Sequence, residues 1–389
     1  MEIVGPEDEP GLAYKWASNQ NYVSDCLTSN ESAPELGELV GTGYVARDII
    51  QLLNAIEGKD AALNFYGLSY GTILGTTFAA LFPERVGHMV LDGNVNVPEW
   101  YDGVELSWFK DADSALLDLF ERCIDAGPEL CPLAARNETA TKLNDRFYKV
   151  LDDLYTAPIP LGSTFVLDPS NLKAGLRISL YGPDSYLPLT KVFDELFKPV
   201  GKRNMTALAE AWLPIGASAD FVDVLPDDSP SGIFCGDKTI RTQDFSDVYP
   251  DLAEQFANVS RSIGDLANNL DYTCLLWPWH AKGAYNGSWH EEIETKNPIL
   301  FIGNTYDPVS PIDNARNSSA IFKGSAVLEH EGVGHASFSH SSLCTAKAVR
   351  AYFHDGELPK ENTKCKTDFG VFDVGKSWKD SLLPDMGWE

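Results

Sequence analysis

The stretch Asn64-Phe65-Tyr66-Gly67-Leu68-Ser69-Tyr70-Gly71-Thr72-Ile73-Leu74-Gly75 constrains this chain more than any other. It reads as an apolar strand, then Gly-x-Ser-x-Gly, then a helix with small residues on its inner face. That order predicts a turn so tight that Ser69 takes a strained backbone, with only glycine fitting two residues to either side. Such a turn lifts a serine hydroxyl above the end of a sheet. It also leaves the N–H of Tyr70, at the start of the helix, facing the space where an oxyanion would form. A bare Gly-x-Ser-x-Gly is common by chance; a strand before it and a helix after it are not.

A serine nucleophile needs a base, and the base needs an anion to set its tautomer. In doubly wound sheets these groups sit beyond the carboxyl ends of strands. The run Pro298–Gly303 reads as a buried strand that ends in Asn304-Thr305-Tyr306-Asp307-Pro308, and Ser325–Glu329 reads as another, followed by Gly332-Val333-Gly334-His335. Asp307 and His335 therefore stand at two strand ends, in the order Ser, Asp, His. Of the other histidines, His280 and His290 fall in a middle segment, His88 and His330 in strands, and His340 and His354 near the last helix. Each of these is read as structural. Asp313 is set aside because it falls inside a helix.

The rest of the α/β rhythm follows from periodicity. Val45, Ile49, Leu52, Leu53 and Ile56 recur at helical spacing between Thr42, a candidate N-cap, and Gly58. Ala62–Tyr66 is a short buried strand, the helix after Ser69 stops at Pro83, and His88–Asp92 is the next strand. Ser310 and Pro311 cap a helix running to Phe322. Ser342–Phe353 forms the last helix, before a tail with Cys365. Residues 1–40 read as polar and irregular, with Trp16 and Cys26 as anchors. From Val97 to Trp289 the pattern is helical and aromatic-rich, including Leu116–Cys123, Leu143–Leu154 and Leu189–Phe197, and is broken by loops at Ala157–Ser163 and Pro226–Gly232. This block reads as an insertion.

Composition narrows the partners. Thirty basic against 57 acidic side chains leave a net charge of −27, which repels nucleic acid and anionic lipid. No apolar run is long enough to cross a membrane. No metal-ligand spacing, phosphate loop or dinucleotide fingerprint occurs, so neither a cofactor nor a metal is expected. The seven cysteines lack Cys-x-x-Cys spacing. Asn-x-Ser/Thr sequons stand at Asn30, Asn137, Asn204, Asn258, Asn286 and Asn317. Twenty asparagines would give about two or three by chance. Sequons and cysteines point to the secretory pathway, although no signal peptide is present at the N-terminus.

Phe65–Gly75, Phe82-Pro83, Val90-Leu91-Asp92-Gly93, Ile233–Asp237, Pro298–Ile312 and Gly332–His335 together resemble the tripeptidyl-aminopeptidase-like (TAP-like) branch of the α/β-hydrolases, related to prolyl aminopeptidases. The run from Ser342 and Cys344 through Gly356-Glu357-Leu358-Pro359 to Cys365 resembles the C-terminal module of that family. The resemblance implies an α/β-hydrolase core in residues 1–96 and 290–389, with residues 97–289 as a mostly helical lid. It implies Ser69 as nucleophile, Asp307 as orienting acid and His335 as general base. With proximity along the chain, it also implies the disulfides Cys123–Cys131, Cys235–Cys274 and Cys344–Cys365, leaving Cys26 over. The family's early strands and His-Gly-Gly-Pro-Gly-type oxyanion loop have no counterpart before Thr42. The chain is therefore expected to start after the third or fourth strand of the fold, with Ala62–Tyr66 at an exposed edge.

The function expected is a serine hydrolase that cleaves peptide bonds near free amino termini through an acyl-enzyme. An esterase or amidase on a small metabolite, and a truncated non-catalytic paralogue, are the alternatives. The acidic insertion is where a substrate α-amine would be held; Asp237 can serve there or be structural.

Overall fold

The structure is a computed structural model, and it describes residues 9–29, 32–162, 165–223, 229–242, 244–245 and 251–386. Five parallel strands form the central sheet in the order β1 (Leu63–Leu68), β2 (Val86–Asp92), β5 (Leu300–Tyr306), β6 (Ala326–Val333) and β7 (Lys364–Lys366). A separate hairpin, β3 (Ile159–Leu161) with β4 (Phe165–Leu167), lies in the insertion where the sequence reads as loop. The helices in chain order are α1 (Glu9–Thr28), α2 (Ala33–Gly37), α3 (Thr42–Ile56), α4 (Tyr70–Leu81), α5 (Val97–Asp102), α6 (Ala112–Ala126), α7 (Ala140–Leu154) and α8 (Pro169–Leu180). They continue as α9 (Tyr186–Leu196), α10 (Met205–Asp223), α11 (Ser229–Asp237), α12 (Asp251–Val259), α13 (Asn268–Leu276), α14 (Ile312–Ile321), α15 (Leu343–Asp355) and α16 (Trp378–Met386).

Val90, Leu91 and Asp92 pair directly with Leu300, Phe301 and Ile302, although more than 200 residues separate them. The chain thus leaves the sheet at Gly93, builds the helical block, and re-enters beside the strand it left. β2 and β5 are buried along most of their length because each has a neighbour on both sides and helices cover the faces, and their polar residues come mainly at the carboxyl ends. The carboxyl ends of β1, β2, β5 and β6 consequently line up as one edge, and the turns that follow them carry the polar residues of interest.

Three expectations change. Residues 9–28 are not irregular: α1 buries Leu12, Trp16 and Val23, and Trp16 packs edge-on against Phe245. Apolar residues at helical spacing were present there but thinly spread among polar ones. Ala62–Tyr66 is not a buried strand; among the described residues β1 pairs only with β2, and Asn64 and Leu68 on it are exposed. Beside it, α3 buries Ala46 and Ile50, while Leu52 (60 % exposed) and Ile56 (75 %) are left largely exposed. Thr42 is the first helical residue rather than the cap, which is Gly41.

The insertion has its own interior. Phe193 stacks on Phe197 and meets Phe120 at a tilt and Phe147 edge-on, with Phe120 also tilted against Phe197; the centroids of these pairs are 5.5–6.4 Å apart. Two ion pairs are sealed inside it or beneath it, Lys238–Glu105 at 2.8 Å and Lys173–Asp265 at 2.6 Å. Arg241 lies beside the Cys235–Cys274 bridge and donates to the backbone oxygens of Cys235, Lys238, Ile240, Trp277 and Trp279. The other two bridges are Cys123–Cys131 and Cys344–Cys365, as the family resemblance implies; Cys26 is outside all three.

Candidate active site

Ser69 closes β1 and opens α4 with φ 54° and ψ −122°, a conformation that costs a non-glycine residue on the order of 1–3 kcal/mol. The turn is held by its own backbone: Ser69 N–H donates to the Asp92 oxygen at 3.0 Å, and the Ser69 oxygen accepts from Thr72 N–H and Thr72 Oγ1. Gly67 is required, since a Cβ there would sit 2.4 Å from the Gly71 carbonyl oxygen. Gly71 is not crowded, contrary to expectation: a Cβ would meet nothing within 4 Å. The tight approach recurs instead one turn on, at Gly75, where a Cβ would lie 2.4 Å from a Leu91 methyl. Tyr70 is the first residue of α4, so its N–H has no carbonyl within the helix to bond.

Asp307 and His335 are brought together. Asp307, fully buried after β5, lies 3.1 and 3.2 Å from His335 Nδ1 through its two oxygens. The same carboxylate accepts the N–H groups of Val309, Ser310 and Ala336 and the Ser310 hydroxyl. With so many donors the anion is stable. Burial alone would push its pKa up, but the His335 charge and these hydrogen bonds outweigh burial and hold it below the usual carboxylate value. Burial likewise works to lower the pKa of His335, and the charge and hydrogen bond of Asp307, with the charge of Asp92, reverse it, so the imidazole is more basic than usual. The lowered Asp307 and the raised His335 both favour the charged pair. The geometry fixes the tautomer: Nδ1–H faces the carboxylate, and Nε2 is left as the base.

The loop that carries His335 is held from several elements. Asn304 on β5 donates to the oxygens of Gly334 and Ala336, and Asp92 at the end of β2 accepts from Ser337. Tyr181, at the end of α8 in the insertion, accepts the His335 N–H at 2.9 Å and places its ring edge-on to the imidazole. Ala336 takes φ 62°, a second strained non-glycine residue at this edge.

Asp92, Ser310, Asn304, Ser337 and Tyr181 were not singled out from sequence. Asp92 had a readable signal, a carboxylate ending an apolar strand. The hydroxyls had none, because Ser310 was read as a helix cap and in fact bonds Asp307 and stands 3.1 Å from His335 Nδ1.

Several of the residues set aside make bonds of their own. His330 is buried on Thr345, His340 bonds the Phe369 oxygen, and His88 bonds that of Phe353. Asp313 lies in α14 and pairs with Lys110 and Arg316. Asp237 is buried and accepts from Thr42 N–H, Thr42 Oγ1 and Trp100 Nε1, so its oxygens are committed internally. Asn137, Asn204, Asn258, Asn286 and Asn317 are all exposed; Asn30 lies outside the described residues.

Comparison with known proteins gives a consistent picture. The family described as TAP-like protein matches residues 260–365. Serine protease Hip1 of Mycobacterium tuberculosis is 26 % identical over 370 residues, 91 % of this chain and 67 % of its own length. Tripeptidyl aminopeptidase of Streptomyces lividans is 23 % identical over 383 residues, 93 % of this chain and 64 % of its own. Putative hydrolase YuaR of Escherichia coli is 22 % identical over 337 residues, 84 % and 62 % respectively. The chain thus spans about two thirds of the length of these relatives.

Proposed function

We propose that the chain is a TAP-like serine hydrolase of the α/β-hydrolase superfamily that cleaves peptide bonds near free amino termini through an acyl-enzyme on Ser69. The observation that carries this reading is the Asp307–His335 pair, at the same carboxyl edge of the sheet as the strained Ser69 turn. In the reaction, Ser69 Oγ bonds to the scissile carbonyl carbon while its proton passes to His335 Nε2. The charge that develops on the carbonyl oxygen meets the Tyr70 N–H at the start of α4. As the C–N bond breaks, His335 returns the proton to the leaving amine. A water molecule then repeats the sequence on the acyl-enzyme, releasing the acid and restoring Ser69.

An enzyme that works from the amino terminus must hold a protonated α-amine at a fixed distance from Ser69, and an acidic insertion suits that task. Asp237 is excluded from it by its internal bonds. We further read the protein as secreted and N-glycosylated. Three disulfides support an oxidising compartment, and the five described sequon asparagines are exposed. A mobility shift on endoglycosidase treatment checks the glycans.

Two measurements test the activity. Ser69→Ala should abolish turnover and labelling by a fluorophosphonate with the circular dichroism unchanged; retained turnover removes Ser69 from the mechanism. Acetylating the amino terminus of a good peptide substrate should lower kcat/KM by at least about tenfold. Equal rates on free and acetylated peptides would instead favour an esterase or amidase.

A further inference from the structure

Asp92 stands between the two halves of the site. Its backbone oxygen accepts the Ser69 N–H at 3.0 Å. Its side chain reaches the other way: Oδ1 accepts the Ser337 N–H at 2.9 Å, and Oδ2 accepts the hydroxyls of Ser337 at 2.6 Å and Tyr66 at 2.9 Å. One residue therefore touches the serine turn through its main chain and the histidine loop through its carboxylate. The carboxylate is fully buried, and its bonded donors are an amide and two hydroxyls. A buried anion held by neutral donors is costly compared with an apolar side chain of the same size. Holding the sheet together does not require it.

We propose that Asp92 is a positioning residue for the reaction: it sets the separation of the Ser69 turn and the His335 loop, and its negative charge supports the imidazolium that forms on His335. This role rests on the Ser69–His335–Asp307 reading above and deepens it. The charge must be present at working pH. Burial, with a smaller push from the Asp307 charge, raises the Asp92 pKa against the Ser337 and Tyr66 hydrogen bonds, to about 6, so the group is ionised at neutral pH and above. The other groups about this pair are Asp307 after β5, Tyr66 on β1, and Tyr181 with its neighbour Arg177 at the end of α8; Asp111, just before α6, interacts with Asp307 and not with the pair itself. Of these, Asp307 and Asp92 act on His335 with the same sign.

Asp92→Asn separates charge from shape. Its oxygen can accept the Ser337 amide, and both hydroxyls can turn to accept from its NH₂ group. The His335 ring titration, followed by NMR and assigned by its loss in His335→Gln, should move to lower pH by about half a unit or more. The acid limb of fluorophosphonate labelling at Ser69 should move with it. Asp92→Ala should in addition slow labelling at least about fivefold at pH 8, where the loss of position dominates. If Asp92→Asn does not fold, Ser337→Ala, which keeps the carboxylate and removes one donor, should slow labelling about threefold; an unchanged rate there overturns the proposal. A folded Asp92→Asn that matches the wild type in both titration and labelling rate also overturns it. Failure of the wild type to label at all would sink the serine-hydrolase reading first, and this role with it.

Discussion

Buried charge is handled in two ways in this molecule. At the carboxyl edge of the sheet, Asp92 and Asp307 lie inside the protein with no lysine or arginine bonded to either among the described residues; amides, hydroxyls and one histidine surround them. In the insertion and at its junction, Glu105 and Asp265 face Lys238 and Lys173 across fully or nearly fully buried contacts. A lysine cancels a carboxylate and leaves nothing to use. Neutral donors stabilise a carboxylate without cancelling it, so its field still reaches His335. On the proposed mechanism, the difference separates groups that act on His335 from groups that hold the insertion together.

The largest expected effect comes from Asp307. Changing it to Asn preserves its volume but offers an amide N–H where His335 Nδ1–H needs an acceptor, which favours the wrong tautomer. The rate should fall by about 10⁴ with KM little changed. A loss of less than tenfold in kcat would mean that the pair does not orient the base. Next in size is Glu105→Gln, which removes the carboxylate charge that faces the buried Lys238. Stability should drop by about 3–5 kcal/mol in denaturant titration, while labelling of Ser69 in the protein that remains folded is unchanged. If instead labelling is lost with stability intact, the insertion's ion pairs belong with the site and the comparison fails.

The smallest effect is a pH dependence. The base must be neutral to accept the serine proton, and the His335 pKa is raised above 6.5 by Asp307 and Asp92 against burial. Activity should therefore rise with pH through a limb lying above 6.5, measured as kcat/KM against pH. For stability the signs run oppositely in the pair. The raised His335 contributes stability that is complete below 6.5 and lost as pH climbs through its folded pKa. The depressed Asp307 contributes stability that is present above 3.8 and lost as pH falls through its folded value. Asp92, raised to about 6, favours the fold below 3.8 and ceases to do so as pH rises through 6. A limb at or below 6.5 would place the controlling group elsewhere.

What the sequence determined by itself is local or strictly ordered. The strand–turn–helix around Ser69 was legible because glycine at position 67 and a strained serine are demands of a single turn, settled within a few residues. Asp307 and His335 were legible because each ends an apolar run, and strand ends in a parallel sheet share one edge. What only the tertiary structure decided is everything that depends on a neighbour far along the chain. Periodicity placed Leu52 and Ile56 on the apolar face of α3, but which part of that face is covered depends on α4 and on where the sheet stops. The helix at Glu9–Thr28 draws its burial from partners such as Phe245 and Trp277, more than 200 residues away. Asp92 was visible as a letter at the end of a strand. Its bonds to Ser69 and Ser337 arise only when three strand ends meet, because a hydrogen bond needs an atom within about 3 Å and sequence spacing carries no such distance.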